Sequence, residues 1–167
     1  MKFANINLGD NVEIDPSTTI NNVTIGANVK IAKRCSLYGS PGNQLEIGSD
    51  TYIGMNTIVN GFAAKVRIGE HVSIAQNVNI MADSGPNASL SMQKIFPIEK
   101  GTVKIEDHCW IGAGAIIMPN VALSEYCIVA ANSFVNRSFP AFSVIGGNPA
   151  RLIRSFTEEE KAKIFGA

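Results

Sequence analysis

The sequence has few of the residues that mark a metal centre, a disulfide framework or a nucleophilic site. It contains two histidines, three cysteines and one tryptophan among 167 residues. An odd number of cysteines leaves at least one unpaired, so a disulfide framework is not expected. Cys35, Cys109 and Cys127 each stand two places before an aliphatic residue. This shared spacing predicts small packing residues in a reducing compartment.

An excess of charge of either sign is also missing. Fourteen basic residues balance fourteen acidic ones, so nothing favours nucleic acid or an acidic membrane surface as a partner. The amino-terminal stretch MKFANINLGDNVEID contains no long apolar run. Neither a signal peptide nor a transmembrane span is therefore expected, and the predicted location is cytoplasmic.

What the sequence does contain is a period of six. An unbroken aliphatic column consists of Ile105, Ile111, Ile117, Leu123, Val129 and Val135. A helix would repeat at three to four residues and a single strand at two, so a six-residue unit indicates a structural repeat. Three short parallel strands per coil, each burying one aliphatic side chain in a triangular core, account for this pattern.

The same register extends over earlier segments as triplets of aliphatic residues. The triplets are Leu8, Ile14, Ile20; Ile25, Ile31, Leu37; Ile47, Ile53, Val59; and Ile68, Ile74, Ile80. Each break in the period follows a third hexad. Six coils are therefore predicted, with every irregularity at one corner of the triangle, and we expect functional protrusions at that corner.

The string IGAGAIIMPNVALSEYCIVAANSFVNRSFPAFSVIGGNPARLI resembles the closing coils of the hexapeptide-repeat acyltransferases. Within that family it is most similar to the galactoside, maltose and polysaccharide O-acetyltransferases. The resemblance covers roughly residues 47–153 and implies an all-β fold, a left-handed parallel β-helix of about six three-strand coils. It also implies a homotrimer with its active sites at the subunit interfaces. Handedness follows from the resemblance alone, since the family departs from the right-handed crossover rule.

Acetyl-CoA is the acyl donor that the resemblance implies. It places Ala113 of IGAG and Ala131 of VAAN beside the pantetheine, and Arg137 where the family often has a lysine near the phosphates. Arg151 and Arg154 of GNPARLIR would lie near the adenosine end. Phosphates need cations, and these arginines form the basic cluster at this end of the β-helix. Solvated surface charge is the alternative for each arginine.

Acceptor contacts are expected from Asn56, Ser84 and Trp110. The segment MNTIVNG resembles one that supplies an asparagine and an acid in the family; Asn56 matches the asparagine, but the acid falls near Asn60, an amide. Trp110 precedes a core residue and is predicted to point outward, towards a ligand or a neighbouring subunit. Asn56 also stands three residues after Ile53, a corner position that favours asparagine in a left-handed conformation.

The general base is where the sequence departs from the family, which carries a histidine at the start of the long loop. Here NIMADSGPN places Asp83 and Ser84 beside that position, so Asp83 is the candidate base. Its alternative is a corner position, three residues after Ile80. His71 and His108 are rival bases. Both are expected at the same corner of adjacent coils, about 5 Å apart, and a purely structural corner role is the alternative for them.

The predicted organisation is a transferase domain over residues 1–154, with a long loop at 82–104, and a short C-terminal α-helix over 155–167. The loop is apolar enough to need a surface, for which a neighbouring subunit or the chain's own coil would serve. Thr157 and Glu160 have the spacing of a capping box, and Gly166 that of a terminating glycine.

The predicted function is acetyl transfer from acetyl-CoA to a hydroxyl, less readily an amine, of a sugar or polysaccharide precursor. Attack on the thioester is expected to be direct, in a ternary complex, with no metal required. Two alternatives stay open. One is a γ-type carbonic anhydrase, which needs three histidines and here would have only two and Asp83. The other is a catalytically silent scaffold.

Overall fold

The computed structural model describes residues 4–166, and its strands form the predicted β-helix. Three parallel sheets form the faces of a triangular prism, and each coil contributes one strand to each face. The strands of the first four coils are β1 Ile6–Leu8, β2 Glu13–Ile14, β3 Thr19–Asn21, β4 Val23–Ile25, β5 Lys30–Ile31, β6 Ser36–Tyr38, β7 Leu45–Ile47, β8 Tyr52–Ile53, β9 Ile58–Asn60, β10 Val66–Ile68, β11 Ser73–Ile74 and β12 Asn79–Met81.

The long loop interrupts the coils and carries its own short elements. These are β13 Asp83–Ser84, α1 Leu90–Gln93 and β14 Glu99–Lys100. Two further coils follow as β15 Val103–Ile105, β16 Trp110–Ile111, β17 Ile116–Ile117, β18 Ala122–Leu123, β19 Ile128–Val129 and β20 Phe134–Val135. The chain ends in β21 Ser143–Gly147, β22 Ala150–Ser155 and α2 Glu158–Phe165.

The strand register confirms the predicted aliphatic columns. On the first face, Leu8 pairs with Ile25, which pairs with Ile47. The column continues through Ile68, Ile105 and Leu123. From Ile25 onwards these side chains are almost fully buried, each contributing roughly 1.5–3 kcal/mol of burial free energy. The hydrophobic core is therefore a continuous rod along the prism axis.

Each turn between faces requires a left-handed backbone at its corner. The first corner lies between the first and second faces, the second corner between the second and third, and the third corner between the third face and the next coil. Left-handed residues at the first corner are Asn11, Asn28, Asp50, His71, His108, Tyr126 and Phe142; at the second, Arg34, Asn56, Asn77, Gly114 and Asn132; at the third, Asn5, Asn22 and Asn120. Asparagine dominates because its short polar side chain tolerates this conformation.

All irregular insertions leave the prism at the third corner, as predicted. They separate β6 from β7, β9 from β10, and β12 from β15. The largest insertion is a two-stranded antiparallel ribbon of β13 and β14 with α1 between them. The first two corners keep the regular period, so the register of the core is independent of insertion length.

The C-terminal end of the prism is covered. β21 continues the second face and pairs antiparallel with β22. Phe139 is buried over the last coil, where it bridges to Leu123. The capping box of Thr157 and Glu160 and the left-handed Gly166 both occur at the ends of α2, as the sequence predicts.

Candidate active site at the third corner

Asp83 lies where the long loop leaves the fourth coil. Val59 pairs with Ile80, so the last residue of β9, Asn60, lies beside Met81. The chain then buries Ala82, whose N–H donates to the Asn60 carbonyl over 2.9 Å, and reaches Asp83. Asp83 belongs to β13 and pairs with Lys100. It does not adopt a left-handed corner conformation, so the corner interpretation of Asp83 is wrong.

The Asp83 carboxylate is held by a single described hydrogen bond. Nδ2 of Asn60 donates to its Oδ1 over 2.8 Å. Oδ1 of Asn60 accepts from the backbone N–H of Phe62 at 3.0 Å, so the orientation of the Asn60 amide is fixed by two partners. The Asp83 side chain is half-buried. One carboxylate oxygen is therefore oriented by the protein, and the other has no hydrogen-bond partner within residues 4–166.

Tyr38 completes the cluster on the neighbouring coil. It pairs in register with Asn60 and is half-buried. Burial raises the pKa of the Tyr38 phenol, and the negative charge of Asp83 raises it further. The phenol therefore stays protonated at neutral pH and keeps its O–H as a hydrogen-bond donor. Ser84, a predicted acceptor contact, follows Asp83 in β13 and pairs with Glu99.

His71 and His108 lie at the first corner, as predicted. Both have left-handed backbones, with φ of 54° and 59°. Their rings stack with centroids 4.9 Å apart and 6° between planes, in agreement with the expected spacing. The stack continues through Tyr126, 4.6 Å from His108, to Phe142, a further 5.1 Å away. The two histidines are thus members of an aromatic ladder, on the opposite edge of the first face from Asp83.

Asn56 belongs to a hydrogen-bonded ladder at the second corner. Its Oδ1 accepts from Nε of Arg34 at 2.8 Å, and its Nδ2 donates to Oδ1 of Asn77 over 3.1 Å. The structure therefore gives Asn56 the predicted corner position and does not bring it to Asp83 within one chain. Trp110 points outward from the second face, between Ser73 and Ile128, and is 56% exposed.

Ala113 and Ala131 lie on adjacent coils at the second corner. The N–H of Asn132 donates to the Ala113 carbonyl over 2.8 Å. Gly114 replaces asparagine in this column, with φ of 70°; a Cβ there would lie 2.3 Å from Oδ1 of Asn132. The corner is therefore lined by backbone and small side chains, a surface that a chain-like ligand can approach closely.

The three arginines differ in their surroundings. Arg154 makes a bidentate ion pair with Glu160, at 2.7 and 2.9 Å, so its charge is already partnered. The guanidinium of Arg137 lies 5.2 Å from the Phe139 ring centroid. Arg151 pairs with Gly146 in the terminal hairpin. Neither Arg137 nor Arg151 has a carboxylate partner in the described chain, so these two remain the arginines whose charge a phosphate can use.

The loop presents apolar side chains outward. Leu90, Ile95 and Phe96 are 77%, 70% and 60% exposed. The loop thus does not fold back onto its own coil, which was one of the two expectations. Exposed apolar residues also occur on the second and third faces, at Tyr52 and Ile58 among others.

Two other classes of site can be assessed from residues 4–166. They contain no group of three His, Cys, Asp or Glu side chains arranged to hold a metal ion.

The cysteines are unpaired and buried, as predicted, and the pKa of the Cys109 thiol is raised by its hydrogen bond to Cys127 and by burial. No helix in this part of the chain has the length and apolar character to cross a membrane.

The pairing of Asn60 with Asp83 is the feature that sequence reasoning missed. The signal was present in the hexad register, because Val59 and Ile80 are equivalent residues of adjacent coils. Asn60 directly follows Val59, and Asp83 comes three residues after Ile80. Their contact depends on the chain turning outward at Ala82, which the repeat alone does not specify.

Comparison with known proteins supports a common origin with acyltransferases. The family model described as "Bacterial transferase hexapeptide (six repeats)" matches residues 102–137. Galactoside O-acetyltransferase of Escherichia coli K12 is 29% identical over 85% of this chain and 68% of its own. The dTDP-4-amino-4,6-dideoxy-D-glucose acyltransferase of Escherichia coli is 30% identical over 87% of this chain and 80% of its own. A mitochondrial γ carbonic anhydrase of Arabidopsis thaliana is 33% identical, and the match spans 89% of this chain but half of that protein.

Solved structures show the same architecture. AntD, an N-acyltransferase from Bacillus cereus in complex with dTDP and 3-hydroxybutyryl-CoA, superposes with a TM-score of 0.79. The match covers 95% of this chain and 90% of AntD, at 28% identity. Since the curated sugar acyltransferase is 30% identical across four-fifths of its length and the repeat model matches the last two coils, the chain belongs to the hexapeptide-repeat acyltransferases.

Proposed function

We propose that this protein transfers an acyl group from acyl-CoA, with acetyl-CoA as the simplest donor, to an amino group of a sugar carried by a nucleotide. The observation that carries the proposal is the position of Asp83 at the root of the loop, with its carboxylate oriented by Asn60. Two relatives add support. One is named as a dTDP-amino-sugar acyltransferase, and the other is an N-acyltransferase crystallised with dTDP and an acyl-CoA.

The choice of an amine over a hydroxyl follows from the strength of the base. A carboxylate is a weaker base than the histidine that the related transferases carry at the start of this loop. A hydroxyl must lose its proton as it attacks, so it needs a base with a pKa near the working pH. A neutral amine attacks with its own lone pair and becomes strongly acidic only in the adduct. Asp83 suffices to accept that proton, whereas the sequence alone favoured a hydroxyl acceptor.

The reaction is a single displacement through a tetrahedral adduct. The acceptor nitrogen attacks the thioester carbonyl carbon, a C–N bond forms, and the C–S bond then breaks. Asp83 takes the proton that the nitrogen loses, and the CoA thiolate leaves and is protonated. The three cysteines are buried within the prism, so no thiol is presented to form a covalent acyl-enzyme. This agrees with direct attack by the acceptor.

The donor is placed along the second corner of the last two coils. Ala113 and Ala131 offer backbone groups to the pantetheine, and Arg151 in the terminal hairpin offers a charge to the phosphates. Arg137 follows β20, at the third corner, and can offer its charge to the phosphates of a CoA bound by a neighbouring subunit. Arg154 is the least suited of the three, because Glu160 already neutralises it.

A homotrimer completes this arrangement. Asp83 is at the third corner and the donor surface at the second, at opposite edges of the third face. The second and third faces carry exposed Tyr52, Trp110 and Ile58, and the loop carries exposed Phe96. Packing these faces against each other around a threefold axis buries the apolar residues and lets the loop of one subunit reach the donor surface of the next.

An acyl-transfer assay tests the function directly. Purified protein is given acetyl-CoA with a dTDP-4-amino sugar, and in parallel with a galactoside that offers only hydroxyls; released CoA thiol is measured. Faster release with the amino sugar and loss of transfer in Asp83→Asn are expected. Transfer to the galactoside alone would establish a hydroxyl acceptor, and no CoA release with either sugar would overturn the proposal.

Mixed oligomers test the shared site. Asp83→Asn lacks the base, and Ala113→Trp blocks the donor surface. Co-expression of the two inactive variants with different tags regenerates intact sites if base and donor surface come from different subunits. Recovery of activity in the doubly tagged fraction is the expected result. Continued inactivity, with both variants folded, would place the base and the donor surface on the same chain.

A further inference from the structure

We infer that Asn60 is a positioning residue for Asp83, a role that rests on the proposed base function of Asp83. Its amide donates to Oδ1 of Asp83 over 2.8 Å. A donor to the ionised carboxylate stabilises the charged form and fixes the rotation of the side chain. The second oxygen, Oδ2, is then the one that faces the acceptor.

The direction of this hydrogen bond is determined by the surroundings of Asn60. An asparagine amide can be turned by 180°, which exchanges its donor and acceptor ends. Here the Phe62 N–H occupies the acceptor end at 3.0 Å. Turning the amide would set its NH2 group against that N–H and its oxygen against a carboxylate. Only one orientation satisfies both neighbours, so Asn60 always presents its NH2 group to Asp83.

The backbone fixes both ends of this contact. Asn60 is the last residue of β9, in register with Tyr38 on one side and Met81 on the other. The N–H of Ala82 donates to the Asn60 carbonyl over 2.9 Å, which holds the start of the loop against the same residue. Asn60 therefore connects the rigid prism to the first loop residue that carries a titratable group.

The aromatic neighbour defines the rest of the environment. Tyr38, adjacent to Asn60, is half-buried and its phenol stays protonated. The ribbon itself carries two charged residues beside Asp83, namely Lys100, which is its partner in the strand register, and Glu99. The Lys100 side chain is in no ion pair of the described residues. Among side chains, Asn60 alone donates a hydrogen bond to the carboxylate in this part of the chain.

The test compares variants that change the hydrogen-bond donor to Asp83 with one that changes only a contact of the neighbouring turn at Phe62. Asn60→Ala removes the hydrogen-bond donor. Asn60→Asp keeps the shape, retains an acceptor for Phe62, and places a second carboxylate beside Asp83. Asn43→Ala is the matched control, because Nδ2 of Asn43 donates to the Phe62 carbonyl over 3.3 Å without reaching Asp83. Asp83→Asn is measured alongside.

We expect Asn60→Ala to lower kcat by about 10- to 100-fold with little change in KM for acyl-CoA, because the base loses its geometry. In Asn60→Asp the two adjacent carboxylates repel each other, so the pair holds one proton more tightly and the acid limb of the kcat/KM profile moves to higher pH by about one unit or more. Asn43→Ala should keep both the rate and the profile. Equal rates and acid limbs in wild type, Asn60→Ala and Asn60→Asp would overturn the inference, as would an equal loss in Asn43→Ala.

An NMR titration gives a readout that does not depend on turnover. The Asn60 side-chain NH2 signals should shift with the ionisation of Asp83 and stop titrating in Asp83→Asn. If the wild type transfers no acyl group, the proposed function fails, and the titration still reports whether Asn60 holds Asp83. If the wild type is active and Asp83→Asn equally so, the base role fails. If the wild type is active and Asp83→Asn is not, but the Asn60 variants transfer acyl groups as fast as the wild type, the base role stands and only the positioning role of Asn60 fails.

Discussion

The first and third corners lie on either side of the first face and differ in every respect that bears on function. The first corner repeats without insertions, and its left-handed residues follow one another one coil apart, with hydrogen bonds from Asn11 to Asp50 and stacked rings from His71 to Phe142. The third corner carries the insertions; Asn5 and Asn22 still stack there in register, but Asn60 pairs with Asp83 across an irregular turn of the chain. Regular stacking places each residue against its counterpart in the next coil, whereas at the irregular corner Asp83 lies at the root of the long loop, with one carboxylate oxygen held by Asn60.

Aromatic residues at the first corner are costly in isolation. A left-handed backbone costs roughly 1–2 kcal/mol for an ordinary side chain, and Tyr126 and Phe142 have φ of 57° and 63°. Stacked aromatic pairs return about 0.5–1.5 kcal/mol each beyond their burial. Phe165 of α2 adds edge contacts to both rings, with centroids 5.8 and 6.1 Å away. The ladder therefore stabilises the corner and also attaches the C-terminal helix.

The largest difference between the corners should appear on changing Asp83. Asp83→Asn is expected to reduce acyl transfer by about 100-fold or more, in the range of general-base contributions, while the midpoint of thermal unfolding stays close to wild type. Thiol release and circular dichroism measure the two quantities. A fully active Asp83→Asn enzyme would remove the base from the third corner.

Tyr126→Ala should show the opposite pattern at the first corner. It removes the ring that contacts His108, Phe142 and Phe165, and a loss of about 2 kcal/mol in stability is expected for this half-buried side chain. Urea unfolding measures the change, and transfer per folded molecule should be retained. Tyr126→Phe is the control, because it keeps the ring. If Tyr126→Phe loses as much stability as Tyr126→Ala, the stack is excluded as the cause.

His108→Ala tests whether a histidine at the first corner has any catalytic part. The expected effect is a loss of stability of about 1 kcal/mol, from one stacked neighbour on each side and the left-handed backbone, with transfer unchanged. His108→Asn should recover part of the stability, since asparagine accepts this conformation. A fall in kcat comparable with that of Asp83→Asn would instead make His108 the base, presented to the loop of a neighbouring subunit.

The smallest effect is expected at Glu160, which holds α2 beside the ladder. The ion pair with Arg154 lowers the pKa of Glu160 to about 2, from an ordinary value of 4.5. A lowered folded-state pKa contributes stability above the unfolded pKa, and this contribution is lost as the pH falls towards 2. Glu160→Gln should therefore melt slightly below wild type at pH 7, and the two should converge between pH 4.5 and 2. Because the pair is exposed, 1 M salt should also reduce the difference. A difference that does not depend on pH would assign the effect to the capping box instead.

The sequence predicted those parts of the structure that repeat. A six-residue period places every sixth residue at the same point of the next face, so the columns through Ile68, Ile74 and Ile80 were predicted residue by residue. The adjacency of His71 and His108 followed from the same register. The corner asparagines were predictable because few side chains tolerate the left-handed region.

The parts that do not repeat could not be predicted in this way. Asp83 fits the corner spacing after Ile80, yet the chain turns outward there and β13 pairs with β14, a choice made by the loop. The ion pair of Arg154 with Glu160 was not predictable from the period, because it depends on how α2 docks; the expected place of Arg154 near a phosphate stays a prediction. Tyr126 occupies a corner that its own preference disfavours, and only the stack with its neighbours explains it. Each difference depends on a contact between segments that the period does not relate.

The concentration of insertions at the third corner has a consequence for protein engineering. Insertions after β6, β9 and β12 differ in length, while the strands on either side remain in register. The chain can therefore be lengthened at this corner without changing which side chains meet in the core. Foreign peptides inserted between Ala63 and Ala64, which keeps the Phe62 N–H on Asn60, would be displayed one coil below the long loop, so new acceptor specificities could be selected from libraries on an unchanged core.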